Sequence, residues 1–313
     1  MHYKFGLLIP SKGRPDYLQR LVNFYVNSGI ELTLIIGDAS NKSCENNLIK
    51  ISKNTSIFLI YLHWPGLNDR KTIANLSDVA CQVGCDYVAL TGDDDYLIPN
   101  GISKCCDFLE QNSSYKSVQG FASLLDSRAD RSSDQLAKIY DYWGRPNLTE
   151  ESTLGRLKDF SRNYFVLQFS VKRAIDFNKS CANYRHIEDR NWGEIYQCYY
   201  LALLGKSHFL NIPYLVRSTH SRIEHESYYN WINTDIWNRE RLSVINAIAS
   251  DFPELSSEEI KINLKKRFFT KNIPFWGIFV ALKRKLFFKI YVKGYFVRNE
   301  YFLEIINSVM GRP

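Results

Sequence analysis

Residues 87–102, YVALTGDDDYLIPNGI, decide how the chain is read. Tyr87 to Leu90 is an apolar run of strand length, and Asp93, Asp94 and Asp95 follow it at once. Three adjacent carboxylates repel one another, so their concentration after a buried strand needs a cause. The residues alone leave two open. One is a divalent cation of the Mg2+ or Mn2+ type, which takes hard oxygen ligands and completes its shell with water and phosphates. The other is a solvated turn whose aspartates cap a helix starting near Pro99.

Short runs rich in Ile, Leu, Val and aromatics predict strands at Tyr3–Pro10, Glu31–Gly37, Ser56–His63, Asp86–Thr91 and Ser117–Ala122. Between them, Pro15–Asn27, Lys42–Lys53, Asp69–Val83 and Asn100–Gln111 read as helices. Pro15 suits a first helical turn, where its missing N–H costs nothing, and Gly29 suits a helix end. Ile73, Leu76, Val79, Ala80 and Val83 share one helical face. Strand and helix in alternation predict an α/β fold with a mostly parallel central sheet and helices on both faces. The loops at the carboxyl ends of its strands form the ligand crevice, and the aspartates lie at one such end.

The polar stretch 125–144 reads as a loop or flap. A second αβ stretch follows, with a strand near Tyr164–Phe169, a helix from about Asp189 to Leu204 and a strand over Ser207–Val216. After Tyr228 the chain reads as helices, with Trp231, Trp237, Leu242, Ile245 and Ile248 available for packing. The expected organisation is a domain over 1–225, with a nucleotide-binding half (1–124) and an acceptor-binding half (125–225), followed by a helical region over 226–313.

With 313 residues and 45% hydrophobic composition, the chain is long enough to bury a substantial core. No run approaches the roughly 20 apolar residues that span a bilayer, and the apolar stretch within Met1–Pro10 is too short for a signal peptide. A cytoplasmic protein, at most peripheral on the inner face of the membrane, is expected. The seven cysteines (Cys44, Cys81, Cys85, Cys105, Cys106, Cys181 and Cys198) are odd in number and lack CxxC or zinc-type spacing. They read as reduced and mostly core. The spacing of the acids excludes an EF-hand, which needs alternating acids, a central Gly and a terminal Glu. No GxxxxGK[ST] or GxGxxG occurs, which removes the main support for P-loop, kinase and dehydrogenase readings.

Four segments taken in order, LLIPSKGRPDYLQRLVNFY (7–25), LIIGDAS (34–40), YVALTGDDDYLIPNGI (87–102) and HIEDRNWGEIYQCYYLALLG (186–205) followed by His220, resemble the GT-A glycosyltransferases. The likeness is in particular to the large family of mostly inverting nucleotide-sugar transferases of bacterial surface polysaccharide synthesis, and it covers about residues 3–222. It implies that Pro10, Ser11 and Arg14 cradle the nucleotide of a donor, a UDP-sugar by preference. It also implies that Asp38 accepts a hydrogen bond from the pyrimidine ring N–H, a donor that uracil and thymine offer and cytosine does not. Asp95 would be the principal ligand of a Mn2+ or Mg2+ ion bridging the donor phosphates, Asp93 would reach the ribose or the metal, and Asp94 would line the donor site. Gly92 stands where the first acid of the commoner D-x-D-D form usually lies, which leaves the division of roles among the three open.

The same resemblance makes Asp189 the base that deprotonates an acceptor hydroxyl, with Glu188 in support. A carboxylate of ordinary pKa serves there, because it need only accept the proton as the sugar carbon develops positive charge. The alternative for both is favourable acids in a helix's first turn. His220 matches a histidine that in many relatives coordinates the metal or the diphosphate. Arg70, in a segment that departs from the family pattern, is carried as the arginine that contacts the donor. In-line attack opposite the leaving diphosphate implies inversion; without Asp189 as base, a retaining course becomes open.

The formal charge of +7 is local in origin. Residues 261–298 hold eleven Lys or Arg, ten aromatics and no acid; without those eleven, 29 basic residues face 33 acidic ones. Cations with large apolar groups fit an anionic membrane surface, and so an acceptor that is a glycan or a polyprenyl-linked glycan. The alternative is a helical cap with solvated cations. Nucleic acid is disfavoured because no nucleic-acid-binding module appears. Two further readings stay open: a nucleotidyltransferase of similar architecture, weakened by the single Gly in PSKGRPDY, and an inactive scaffold that keeps the fold.

Overall fold

The computed structural model describes residues 3–126, 147–219, 231 and 234–269. Its first half alternates as the sequence predicts: β1 (Phe5–Ser11), α1 (Pro15–Ser28), β2 (Leu32–Asp38), α2 (Glu45–Ser52), β3 (Ile57–His63), α3 (Asp69–Gln82), β4 (Tyr87–Leu90), β5 (Tyr96–Leu97), α4 (Pro99–Gln111) and β6 (Tyr115–Asp126). There follow α5 (Thr153–Arg162), β7 (Val171–Arg173), α6 (Ala174–Tyr184), α7 (Arg190–Leu204), β8 (Lys206–Thr219), α8 (Asp235–Asp251) and α9 (Ser257–Phe269).

Eight strands form one sheet in the order β3-β2-β1-β4-β7-β6-β8-β5. Strands β3, β2, β1 and β4 are mutually parallel, β7 and β5 run antiparallel to their neighbours, and β6 pairs parallel with β8. This is the expected mostly parallel sheet, with two short reversed strands. Period-two alternation divides each strand between two cores. Leu8, Ile35 and Val88 face one core with α3, α5, α6 and α7, while Leu7, Ile9 and Leu34 face the other with α1 and α4. Full burial of each such side chain stabilises the fold by roughly 1.5–3 kcal/mol. Helix α1 begins with Pro15 at its first position and ends at Gly29, whose φ of 66° is the left-handed conformation that closes a helix.

The strand expected at Tyr164–Phe169 is not one. Phe165, Leu167 and Phe169 are buried, but their backbone makes a turn, with Ser170 N donating to Leu167 O at 3.0 Å and Leu167 N reaching Cys198 Sγ at 3.3 Å. Phe165 and Leu167 are buried in the core that contains α7 and Phe169 in the opposite core, and the strand itself is Val171–Arg173. Helices α5 and α6 were not anticipated. Leu125 and Asp126 belong to β6; the rest of the expected flap, 127–144, lies outside the described residues. Leu242 is 56% exposed, contrary to expectation, whereas Trp231, Trp237, Ile245 and Ile248 are buried in the core that α5 and α7 share. All seven cysteines are free, five of them buried. Among the described residues no helix is long and apolar enough to cross a membrane.

Candidate active site

Strand register brings the predicted donor residues together. Ser11 pairs with Asp38 across β1 and β2, and Leu8 pairs with Leu90, so β1 runs on beside the acidic loop that follows β4. Asp38, Ser11 and Asp93 therefore sit at the carboxyl ends of three adjoining parallel strands, where an open α/β sheet places its ligands. Pro10, half-buried one residue earlier, completes the β1 end.

Two arginines meet the three aspartates. Ser11 Oγ donates to Asp93 Oδ2 at 2.6 Å. Arg14 lies 2.7 Å from Asp93 Oδ1, at ion-pair distance but without hydrogen-bond geometry, and 3.1 Å from Asp94 Oδ2. Asp95 is bound from β8: Arg217 Nε donates to Oδ2 at 3.1 Å and Ser218 N to Oδ1 at 2.9 Å. The register explains why, since Tyr96 of β5 pairs with Val216 and leaves Asp95 beside Arg217. The guanidinium of Arg217 also lies 5.0 Å from the ring centroid of Phe169.

Burial dominates the electrostatics. Asp93, Asp94 and Asp95 are 0%, 8% and 2% exposed. Loss of solvation pushes the Asp93 pKa up to about 7, against the pull of Arg14 and the Ser11 hydroxyl. Asp95 is raised for the same reason, with Arg217 opposing. A Cβ at Gly92 would lie 2.7 Å from Asp94 Oδ1, so an acid at that position requires the Asp94 carboxylate to move.

Asp38 is held from both sides. Its Oδ1 accepts from Ser40 N at 2.8 Å, and its Oδ2 accepts a short hydrogen bond from the Tyr61 hydroxyl.

The predicted acceptor side forms a second group, around the start of α7. Asp189 is the N-cap of α7: Oδ1 accepts from Trp192 N at 2.8 Å, and Oδ2 accepts from Trp231 Nε1 at 3.1 Å. Each oxygen has a second lone pair with which to accept a proton or a hydrogen bond. Glu188 turns outward, 75% exposed at its side chain and 3.4 Å from Arg239, while its backbone N–H donates to buried Glu240. Arg70 belongs to this second group. Its Nη1 lies 2.6 Å from Asp69 Oδ1, and its stem packs on Gly193 in the first turn of α7. No contact of Arg70 with the aspartate triplet appears among the described residues. His220 lies outside the described residues.

Several contributors escaped the sequence reading. Arg217 lies three residues before His220, within a strand, and nothing local marks it as a partner of the aspartates. Tyr61 lay hidden in an apolar strand. Trp231 and Glu240 reach Asp189 and Glu188 from distant segments, and nothing local marks them.

No protein-family model matches this chain, and no curated protein matches it by sequence. Solved structures do. A crystal structure of S. aureus TarS 1–349 superposes with TM-score 0.54 at 12% identity, over 92% of this chain and 75% of that one. The same protein in complex with UDP-GlcNAc gives 0.54 at 13%, over 85% and 73%; its UDP complex gives 0.52 at 11%, over 85% and 70%. The chain has the GT-A-type fold of TarS.

Among the described residues no three His, Cys, Asp or Glu side chains converge as a metal cage. Mg2+ and Mn2+ do not require one, since they are held by one or two carboxylates with water and substrate phosphates. Asp93 Oδ1, buried without a hydrogen-bond partner, and Asp95 supply such carboxylates, so the residues fit.

Proposed function

We propose that this chain is a metal-dependent glycosyltransferase that moves a sugar from a nucleoside-diphosphate donor, a UDP-sugar by preference, to a hydroxyl of a glycan or lipid-linked glycan. The carrying observation is the row of Asp38, Ser11 and Asp93 at three adjoining strand ends, flanked by two arginines. UDP and UDP-GlcNAc complexes of the structural neighbour support the choice of donor.

In this reading Asp38 accepts the ring N–H of the base, and Ser11 and Arg14 hold the nucleotide beside it. Asp95 and Asp93 would hold the Mn2+ or Mg2+ ion, whose chemistry is Lewis-acid neutralisation of the charge that grows on the departing diphosphate. Arg14 and Arg217 add fixed positive charge on either side of the same loop, pre-organised by their bonds to the aspartates. Asp189 takes the proton of the acceptor hydroxyl as the new glycosidic bond forms. Attack from the face opposite the leaving diphosphate inverts the anomeric carbon. Arg70, through its contact with the first turn of α7, braces the helix that carries the base. The basic, aromatic stretch 261–298 fits an acceptor presented at an anionic membrane surface.

The test is hydrolysis of a panel of UDP-, dTDP-, GDP- and CMP-sugars with and without Mn2+. Slow metal-dependent turnover of one donor supports the reading and names the donor. Absence of turnover and of nucleotide binding across the panel would leave an inactive scaffold.

A further inference from the structure

We infer that Tyr61 sets the base preference of the donor site by fixing Asp38 as a pure acceptor, an inference that rests on Asp38 being the base-binding residue. Tyr61 sits in β3, paired in register with Ile36 of β2, and donates to Asp38 Oδ2. Its own oxygen is met by the backbone N–H of Cys44 at 3.1 Å and by Ser43 Oγ at 3.4 Å. A phenol has one proton; with donors converging on its oxygen, that proton has the aspartate as its partner. Burial, followed by the bond to Asp38, raises the phenol pKa well above its usual range, so the hydroxyl stays a donor.

The consequence falls on Asp38. Ser40 N fills one position on Oδ1 and Tyr61 one on Oδ2, and Cys44 Sγ approaches Oδ2 at 3.9 Å. A carboxylate oriented by donors on both oxygens presents only lone pairs to a ligand. It pairs with a base that offers a ring N–H, as uracil and thymine do at N3 and guanine at N1, and it opposes the bare ring nitrogen of cytosine or adenine. Discrimination of this kind is strong, because the wrong base leaves buried polar groups unpaired. Without the hydroxyl Oδ2 loses the donor that orients it, and the carboxylate is free to turn away from the base N–H.

Titration calorimetry with UDP and with CDP in Mn2+ buffer, on wild type, Tyr61→Phe and Asp38→Asn, tests this. Wild type is expected to favour UDP. Tyr61→Phe is expected to lose about tenfold in UDP affinity and little for CDP, so that the ratio falls about tenfold. An unchanged ratio, or equal losses for both nucleotides, would overturn the role of Tyr61 and leave the donor site intact. Wild type binding neither nucleotide, or Asp38→Asn binding UDP like wild type, would instead overturn the base-site reading and this inference with it.

Discussion

Arg217 and Asp95 are joined across the β8–β5 edge: Arg217 Nε donates to Asp95 Oδ2 at 3.1 Å, and the adjacent Ser218 N–H donates to Oδ1 at 2.9 Å. With Arg14 on Asp93 and Asp94, three carboxylates share two guanidinium groups. That pairing offsets the repulsion among three neighbouring acids in a buried loop. Arginine also suits the next partner, since its planar fork matches phosphate as well as carboxylate.

Removing one of these cations leaves Asp95 buried beside two like charges. Arg217→Gln is expected to lower stability by about 1–3 kcal/mol, the range for breaking a pair whose cationic side chain is 27% exposed. Thermal unfolding with and without Mn2+ checks this. The ion is expected to raise the melting temperature more in the variant than in wild type, because it replaces the lost charge. A variant that melts like wild type under both conditions contradicts the pairing.

Asp189 has two duties in this structure, helix cap and candidate base, and substitution separates them. Asparagine caps helices about as well as aspartate, but its amide group would face the Trp231 indole N–H. Asp189→Asn is therefore expected to cost about 1 kcal/mol in stability while slowing transfer by roughly 10²–10⁴-fold. Asp189→Ala loses both the cap and the base. Measured kcat and melting temperature for the two variants decide the matter, and an active Asp189→Asn enzyme would reduce Asp189 to a cap.

Lys172 lies fully buried in β7, with Nζ donating to Gln168 O at 2.5 Å and Ser170 O at 3.2 Å and lying 4.4 Å from the Phe177 ring centroid. Burial pushes its pKa down to about 7 from an unfolded value of 10.5. Between those values the unfolded chain binds the extra proton, so stability rises with pH; below about 7 both states are charged and this slope vanishes. The slope has a ceiling of about 1.4 kcal/mol per pH unit, which the two carbonyl acceptors reduce by favouring the charged form. Chemical denaturation from pH 6 to 10 is expected to show a flatter profile for Lys172→Met than for wild type. Parallel profiles would show that Lys172 keeps its proton.

The basic stretch 261–298 predicts salt-sensitive binding to vesicles containing phosphatidylglycerol, with each cation near the surface contributing about 1 kcal/mol. Reversing Lys283, Arg284 and Lys285 to Glu is expected to release the protein in a flotation assay. Equal binding to neutral vesicles would point to the aromatics alone.

The first half of the fold was legible because its strands are short, apolar and punctuated by Pro15, Gly29 and Pro99, so period and boundary signals agree. Phe165 to Phe169 misled because burial in the two cores imposes the same alternation as pairing in a sheet, and sequence records burial rather than hydrogen bonds. On the donor side, only the aspartate triplet could be placed at a strand end from the residues themselves; Ser11 and Asp38, the last residues of β1 and β2, entered through the family resemblance, and parallel pairing brings these strand ends together. Arg217, Tyr61 and Trp231 were not legible, since each acts through a contact made only once distant strands and helices have packed.

The most direct measurement is calorimetric titration of wild type and Asp95→Asn with UDP, in Mn2+ and in EDTA. Wild type is expected to bind UDP with Mn2+, to lose most of that affinity in EDTA, and to be matched in EDTA but not in Mn2+ by Asp95→Asn. Binding that is indifferent to both Mn2+ and Asp95, or no binding at all, would contradict a metal-assisted diphosphate site at the end of β4.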